Sequence, residues 1–256
     1  MSSDSAAVLG YNLLGGFRLR RDGTPVPPDA WERPMAARVV RLLLVERGFV
    51  TEDRLLEAFW RDRDPAAARR CLAVSVCRCR GVLGATAIEA SERAYRLVLG
   101  PLDSIDSDLF ERAAARALDR ADGPARTAAL EHTAGLWHGE PLPEDRYSDW
   151  AQEWRDALVD RHREVLAALS DGHARAGEHE AALRAARRML AADPLDEGAH
   201  RRVMAGYAAL GRRTRALEQF LRCRRELIEA VGIEPSRETS ALQARILAGG
   251  EAGLAA

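Results

Sequence analysis

The sequence predicts a mainly α-helical protein with a small α+β domain at its N-terminal end. Two segments that alternate apolar and polar residues flank three helix-like segments within the first 100 residues. Apolar residues then recur at helical spacing from Asp106 almost to the end of the chain. This helical part contains an internal repeat of tetratricopeptide length. We therefore predict two domains, residues 1–100 and residues 101–256.

The first predicted domain begins and ends with a β-hairpin. Residues 13–19 alternate in part, Arg21, Asp22 and Gly23 supply a turn, and residues 25–26 form a short return strand. A closing hairpin is predicted from residues 88–90 and 95–99, because both segments are apolar and flank a polar stretch.

Three helices are predicted between these hairpins. Pro34 suits the first position of a helix that ends at Gly48. Thr51 is a good N-cap for a second helix, and Pro65 begins a third that ends at Gly84. Hairpin, three helices and hairpin is the order of a winged helix-turn-helix with an extra N-terminal sheet. The second and third helices would then be the DNA-reading pair.

The third predicted helix carries the strongest signal for nucleic acid. One face is apolar, whereas the opposite face places small side chains between arginines. Such a face lets the backbone approach base edges while guanidinium groups reach phosphates or guanine. The residues predicted to bind DNA on this helix are Arg69, Arg70, Ala73, Val74, Cys77, Arg78 and Arg80. The alternative is an exposed helix in an arginine-rich protein.

The charge distribution agrees with a DNA-binding first domain. All 38 basic residues are arginine, which by itself indicates a GC-rich coding sequence more than a nucleic-acid partner. Residues 1–100 nevertheless carry a net charge of +4, and residues 101–256 carry −5. Residues 65–84 contain four arginines and no acid, which is enough local field to attract a polyanion.

The second predicted domain is a tetratricopeptide-like all-α domain. Residues 177–183 align with residues 211–217 at an offset of 34, which is the tetratricopeptide period. Residues 123–130 form a looser third echo whose larger offset requires an insertion. We predict that this insertion is the proline-rich loop at residues 139–147.

No enzyme, cofactor or metal is predicted. Cys71, Cys77 and Cys79 point in different directions around one helix, and the histidines form no metal-ligand motif. No stretch is apolar over the length of a membrane span, and Asp4 stands where a signal peptide needs positive charge. We therefore expect a cytoplasmic protein without a membrane partner.

A series of short motifs in this order resembles the SARP-type regulators, antibiotic regulatory proteins with an OmpR-like winged helix and a bacterial transcriptional activator domain. The resemblance covers about residues 13–247. The motifs are Leu14-Gly-Gly-Phe-Arg18, Arg54-Leu-Leu-Glu-Ala-Phe-Trp60, Ala66-Ala-Ala-Arg69, Tyr95-Arg-Leu97, Asp108-Leu-Phe-Glu111, Leu136-Trp-His-Gly-Glu-Pro-Leu142, Asp193-Pro-Leu195 and Gly232-Ile-Glu-Pro-Ser236.

The resemblance implies an activator of secondary-metabolite genes that binds promoter-proximal repeats in double-stranded DNA, as a monomer or as a homodimer, and recruits RNA polymerase holoenzyme. It implies that the third helix enters the major groove and that Arg93, in the wing, approaches the minor groove or a phosphate. It assigns polymerase contact to the loop at residues 60–64, which includes Trp60, Arg61 and Arg63.

The third helix departs from the family pattern. Members commonly carry polar groove-facing residues where this chain has Arg70, Ala73 and Val74, with Cys77 and Cys79 nearby. This departure favours the alternative function, a protein-interaction adaptor that uses tetratricopeptide-like repeats and retains a vestigial winged helix.

Overall fold

Helices dominate the computed structural model, which describes residues 7–249, so that Asp4 lies outside the described residues. Contacts divide the chain into two compact units. The first unit comprises residues 1–109 and 138–159, and the second comprises residues 110–137 and 160–256. The mainly helical fold class with small N-terminal sheets is confirmed. The boundary at residue 100 stays a prediction, although the compact units divide the chain differently.

The predicted order of hairpin, three helices and hairpin is present, together with short strands that were not predicted. The strands are β1 (Leu9–Asn12), β2 (Arg18–Arg21), β3 (Thr24–Pro25), β4 (Val50–Thr51), β5 (Ile88–Ser91), β6 (Ala94–Leu97) and β7 (Ser104–Ile105). The α-helices are α1 (Pro34–Glu46), α2 (Glu52–Trp60), α3 (Pro65–Leu83), α4 (Asp106–Leu118), α5 (Pro124–Gly135), α6 (Asp149–Arg175), α7 (His179–Ala192), α8 (Glu197–Ala209), α9 (Arg213–Val231) and α10 (Arg237–Leu247). Short 3₁₀ turns cover Pro28–Trp31 and Pro143–Asp145.

The N-terminal sheet has the strand order β3-β2-β1-β7. The predicted turn is confirmed, because Arg21 pairs with Thr24 across it. The first strand, β1, was not predicted, and it pairs antiparallel to β2 and parallel to β7. The Asp106 carboxylate accepts the backbone N–H groups of Leu13 and Leu14, so the chain leaving β1 is held to the start of α4.

The helix-turn-helix forms as predicted from local signals. The Thr51 hydroxyl accepts the Arg54 N–H and caps α2, and the Asp64 carboxylate accepts the Ala67 N–H and caps α3. Gly84, with a φ of 117°, ends α3 in a conformation that disfavours other residues. The predicted buried stripe of α3 is confirmed. It consists of Leu72, Val76, Cys79 and Leu83.

The stripe seats α3 on α1 in a common core. The Cys79 thiol donates to the Ala36 carbonyl oxygen at 3.2 Å. Burial raises the pKa of this thiol to about 12, so it stays protonated and can act as the donor. Beside this core, β5 and β6 form the wing hairpin, and β4 pairs with β6. The wing is thereby attached to the residues that lead into α2.

The second unit contains the predicted repeat. Helices α7 and α9 begin at His179 and Arg213, which reproduces the offset of 34. Gly177 and Gly211 precede them with φ values of 77° and 69°, so both turns use a left-handed glycine. Helix α8 packs against α7 and α9, and α10 packs against both α8 and α9. This stacking of neighbouring helices is the arrangement of a repeat protein.

The proline-rich loop lies in a place that the sequence did not predict. Residues 139–147 belong to the first unit rather than to the repeats. Pro141 forms an isolated bridge with Leu14, and the Leu142 N–H donates to the Leu13 carbonyl oxygen. The Glu144 carboxylate accepts the Phe17 N–H. The loop is therefore part of the support for the N-terminal sheet.

A buried ion pair connects the same loop to α1. The Asp145 carboxylate, 1% exposed, lies 2.6 Å from Nε of Arg41 and 3.1 Å from Nε of Arg38. The guanidinium of Arg155 donates to the backbone carbonyl oxygen of Asp145. Several donors thus compensate the loss of hydration that burial of this carboxylate entails.

We expect the Asp145→Ala substitution to lower the free energy of unfolding of the whole chain by about 3–5 kcal/mol, because Arg41 would remain buried without its counter-ion. Guanidinium denaturation followed by circular dichroism measures this loss. Glu140→Ala is the matched control, since it breaks the exposed Glu140–Arg146 pair and should leave the denaturation midpoint nearly unchanged. Equal losses for the two variants would contradict the assignment.

Candidate nucleic-acid interface

The predicted DNA-binding residues of α3 are not equally accessible. Arg69, Arg70, Ala73, Val74 and Cys77 are exposed. The two remaining arginines of the predicted set are only partly exposed. The structure therefore gathers five of the seven predicted positions of this helix on an open face of small and basic side chains.

An acidic residue links this face to the wing. The Glu52 carboxylate accepts a hydrogen bond from Nε of Arg69 at 2.7 Å, and its second oxygen lies 4.0 Å from Nε of Arg93. Arg93 also donates to Asp53 at 3.0 Å. The Arg93 backbone has a φ of 69°, which turns the chain between the wing strands. Glu52 and Asp53 thus hold two arginines that were predicted to bind DNA, Arg69 and Arg93.

Glu52 and Asp53 were not predicted as parts of the site. Both lie in the first turn of α2, where acids are ordinary because they stabilise the positive end of a helix. Their sequence position carries no signal for contacts with arginines 17 and 40 residues away. Only the folded arrangement of α2, α3 and the wing shows them.

Arg80 is engaged by the protein itself. Its Nε and one terminal nitrogen donate to the Ile88 carbonyl oxygen at 3.1 and 2.8 Å. The side chain therefore ties the last turns of α3 to β5, the first strand of the wing. A role of Arg80 in DNA binding stays a prediction, and its contacts give it a separate task in positioning the wing.

Arg78 and Arg70 differ in whether the protein itself engages their guanidinium groups. Nε of Arg78 lies 3.2 Å from a Glu32 carboxylate oxygen, although Glu32 itself is mostly exposed. Within the described part of the chain, no ion pair or hydrogen bond engages the Arg70 guanidinium. Arg70 is therefore the arginine of this face that can reach an external anion without first giving up a partner.

The predicted polymerase loop contains one buried residue. Trp60 is 7% exposed and belongs to the core of the first unit, where its ring lies edge-on to Phe59. Arg61 forms an exposed pair with Glu57, and Arg63 lies near the Cys71 sulfur. Polymerase contact by Trp60, Arg61 and Arg63 stays a prediction. Its accessible part consists of the two arginines.

Among residues 7–249, no group of three or more histidine, cysteine, aspartate or glutamate side chains has the geometry to hold a metal ion. None of the helices described has the length and apolar character that crossing a membrane requires. In the region that the structure covers, the four cysteines are free thiols.

A winged helix-turn-helix followed by tetratricopeptide-like helices is the architecture of a SARP-type transcriptional regulator. The profile of the bacterial transcriptional activator domain matches residues 105–247, more than half of the chain. The chain belongs to this family.

Two curated regulators resemble the chain over nearly its whole length. The transcriptional regulatory protein MoaR1 of Mycobacterium tuberculosis (strain ATCC 25618 / H37Rv) is 25% identical over 257 residues, which cover 96% of this chain and 82% of MoaR1. The regulatory protein DnrI of Streptomyces peucetius is 29% identical over 251 residues, 92% of this chain and 91% of DnrI. Both names are those of regulatory proteins and not of enzymes.

A solved structure shares the fold. Mycobacterium tuberculosis EmbR in complex with a low-affinity phosphopeptide superimposes with a TM-score of 0.75. The match covers 97% of this chain and 67% of the EmbR chain at 23% sequence identity. At this identity the likeness concerns the fold.

The contacts of Arg80 generate a stability prediction. Arg80→Ala should lower the free energy of unfolding by about 1–3 kcal/mol, because the Ile88 carbonyl oxygen loses its charged donor. Arg70→Ala is the control on the same helix, and its effect should stay within about 0.5 kcal/mol. Urea denaturation of both variants tests the difference. If Arg80→Ala were as stable as Arg70→Ala, the hydrogen bond from Arg80 to Ile88 would contribute nothing to the free energy of unfolding.

Proposed function

We propose that this protein is a sequence-specific DNA-binding activator that inserts α3 into the major groove at promoter-proximal repeats and recruits RNA polymerase. The observation that carries the proposal is the exposed face of α3. On it, the unpaired Arg70 stands among Ala73, Val74 and Cys77, and Arg69 lies beside Arg93 of the wing. The small residues permit close approach of the helix to DNA, and the arginines around them supply positive charge for the phosphates.

The internal ion pairs of this face do not prevent DNA binding. Arg69 and Arg93 are half exposed, and such pairs are worth about 0–1 kcal/mol. Hydrogen bonds from arginine to phosphate are charge-assisted and bidentate, so a phosphate can take over these guanidinium groups at small cost. Glu52 then serves to hold both side chains near the position where the backbone of DNA would pass.

Base readout rests on the centre of the face. Arg70 has the length and geometry to fork onto the O6 and N7 atoms of guanine. Ala73 and Val74 offer methyl groups to the thymine methyl in the same groove. Polar residues are absent from these two positions, so specificity would depend on one arginine and on apolar contacts.

The wider role follows from the family. The relatives carry the names of transcriptional regulators, which favours DNA and the transcription machinery as partners. The resemblance to antibiotic regulatory proteins favours genes of secondary metabolism as targets and the cytoplasm as the place of action. Two copies on adjacent repeats would form the homodimer that the resemblance implies.

A second candidate function is a protein-interaction adaptor with a vestigial winged helix. It is favoured by the fact that Arg69, Arg78, Arg80 and Arg93 already have partners within the chain. Pull-down of fragmented genomic DNA by the purified protein, at a stated salt concentration, separates the two functions. Recovery of one repeated sequence supports the activator, whereas recovery of no enriched sequence supports the adaptor.

Arg70→Ala should weaken DNA binding without unfolding the protein. If Arg70 reads guanine, about 1–3 kcal/mol of discrimination disappears at one base pair. If it contacts phosphate, all sequences weaken alike and the salt slope falls by about 1. Fluorescence anisotropy across a salt series distinguishes these outcomes. Arg184→Ala, at an exposed position of α7, is the control and should bind normally; unchanged affinity for Arg70→Ala would exclude the groove assignment.

DNA binding and activation should be separable. Replacing Arg61 and Arg63 by alanine should leave operator affinity within about threefold, a shift of roughly 0.6 kcal/mol. The same variant should reduce transcription in an assay with purified polymerase, because the exposed arginines of this loop are the proposed contact. Parental transcription would remove the loop from activation, and a parallel loss of DNA binding would show that the two surfaces are not separate.

A further inference from the structure

A cavity of about 890 Å³ opens within the first unit. It lies between β2, the 3₁₀ turn Pro28–Trp31 and the beginning of α1, with Glu144 of the proline-rich loop also in its wall. Its volume falls in the range of about 300–1,000 Å³ that is typical of sites for small molecules. None of the residues proposed above to contact DNA or polymerase lines it.

The wall of the cavity includes aromatic side chains. Phe17 and Trp31 both line it, and their rings lie 5.8 Å apart at an angle of 51°. Tyr11 lines it as well, and its buried hydroxyl has no hydrogen-bond partner among the described residues. Phe17 and Trp31 therefore form the aromatic part of the wall.

The acids in the wall are mostly engaged by the protein. Asp106 accepts hydrogen bonds from the Asn12 side chain and from the backbone N–H groups of Leu13 and Leu14. Glu144 accepts the Phe17 N–H. Glu32 pairs with Arg78. Of the four lining acids, only Asp29 has no partner in the region that the structure covers.

Most of the arginines in the wall, unlike the acids, have no partner among the described residues. Arg41 is paired with the buried Asp145. Arg18, Arg20 and Arg33 are exposed, and no ion pair or hydrogen bond holds their guanidinium groups within residues 7–249. The unpaired charges that line the cavity therefore sum to an excess of positive charge.

The first turn of α1 adds to this positive character. Pro34, which lines the cavity, begins the helix. No side chain caps this end, and its first turn contains no acid. The positive end of a 13-residue helix therefore remains without an internal counter-charge beside Arg33.

We infer that this cavity binds a small planar organic anion, an aromatic ring system that carries a phosphate or carboxylate group. The ring would contact the aromatic wall, and the anionic group would be bound by Arg18, Arg20 and Arg33. This inference is independent of the proposed function, because the cavity is separate from the DNA-binding face. It gives the first unit a ligand site in addition to its winged helix.

Isothermal titration calorimetry on the full chain tests the inference with three probes. These are 1-naphthyl phosphate, 1-naphthol and inorganic phosphate, which present the ring with the anion, the ring alone and the anion alone. We expect 1-naphthyl phosphate to bind one per chain, at least tenfold more tightly than either of the others. No saturable binding, or equal affinity for 1-naphthyl phosphate and inorganic phosphate, would overturn the inference.

Variants locate the binding. Replacing Arg18 and Arg33 together by glutamine should weaken 1-naphthyl phosphate at least tenfold and leave the thermal midpoint unchanged, because both side chains are exposed and unpaired. Arg61→Gln removes an exposed arginine outside the cavity and should bind like the parent. Equal affinity of the double variant and the parent would place the ligand elsewhere and would refute the site.

Discussion

The ion pair between Asp145 and α1 is the interaction on which the first unit depends. Asp145 reaches Arg38 and Arg41 from a segment more than 100 residues further along the chain. Helix α1 in turn packs against α3 in the shared core and is joined to it by the Cys79–Ala36 hydrogen bond. A buried carboxylate without its partners would cost several kcal/mol, so this contact fixes the position of the proline-rich loop. The support of α3 therefore includes residues far outside the helix-turn-helix.

Ion pairs at the surface of the first unit hold their arginines less firmly than the buried Asp145 pair does. Glu52 is 14% exposed and holds Arg69 and Arg93, whose side chains are half in solvent. Water and salt weaken these contacts, so they orient the arginines but leave them able to bind another anion. Arg80 differs from both, because it donates to a backbone carbonyl oxygen that has no freedom to move away. The kind of acceptor and the exposure of the guanidinium thus separate Arg80, which is bound to the wing backbone, from Arg69 and Arg93, which are able to exchange partners.

Local signals in the sequence predicted the helices well and the tertiary contacts poorly. Pro65, Gly84 and the apolar stripe between them determine α3, because caps and periodicity act within a few residues. The strand β1 was missed because a four-residue strand that contains Gly10 carries little pattern. Helical spacing placed Arg80 on the open side of α3, yet it lies near the edge of the buried stripe, within reach of Ile88. No local pattern specifies that partner.

The proline-rich loop shows that the stretch matched by a family profile and a compact unit of the structure need not have the same boundaries. Residues 105–247 match one family profile, but residues 138–159 within that stretch pack with the N-terminal unit. Trp150 is buried there and lies edge-on to Phe59 of α2. A chain cut at residue 100 would therefore remove both Asp145 and Trp150 from the core that supports α3. The helical region of the sequence therefore supplies part of the compact unit that contains α3.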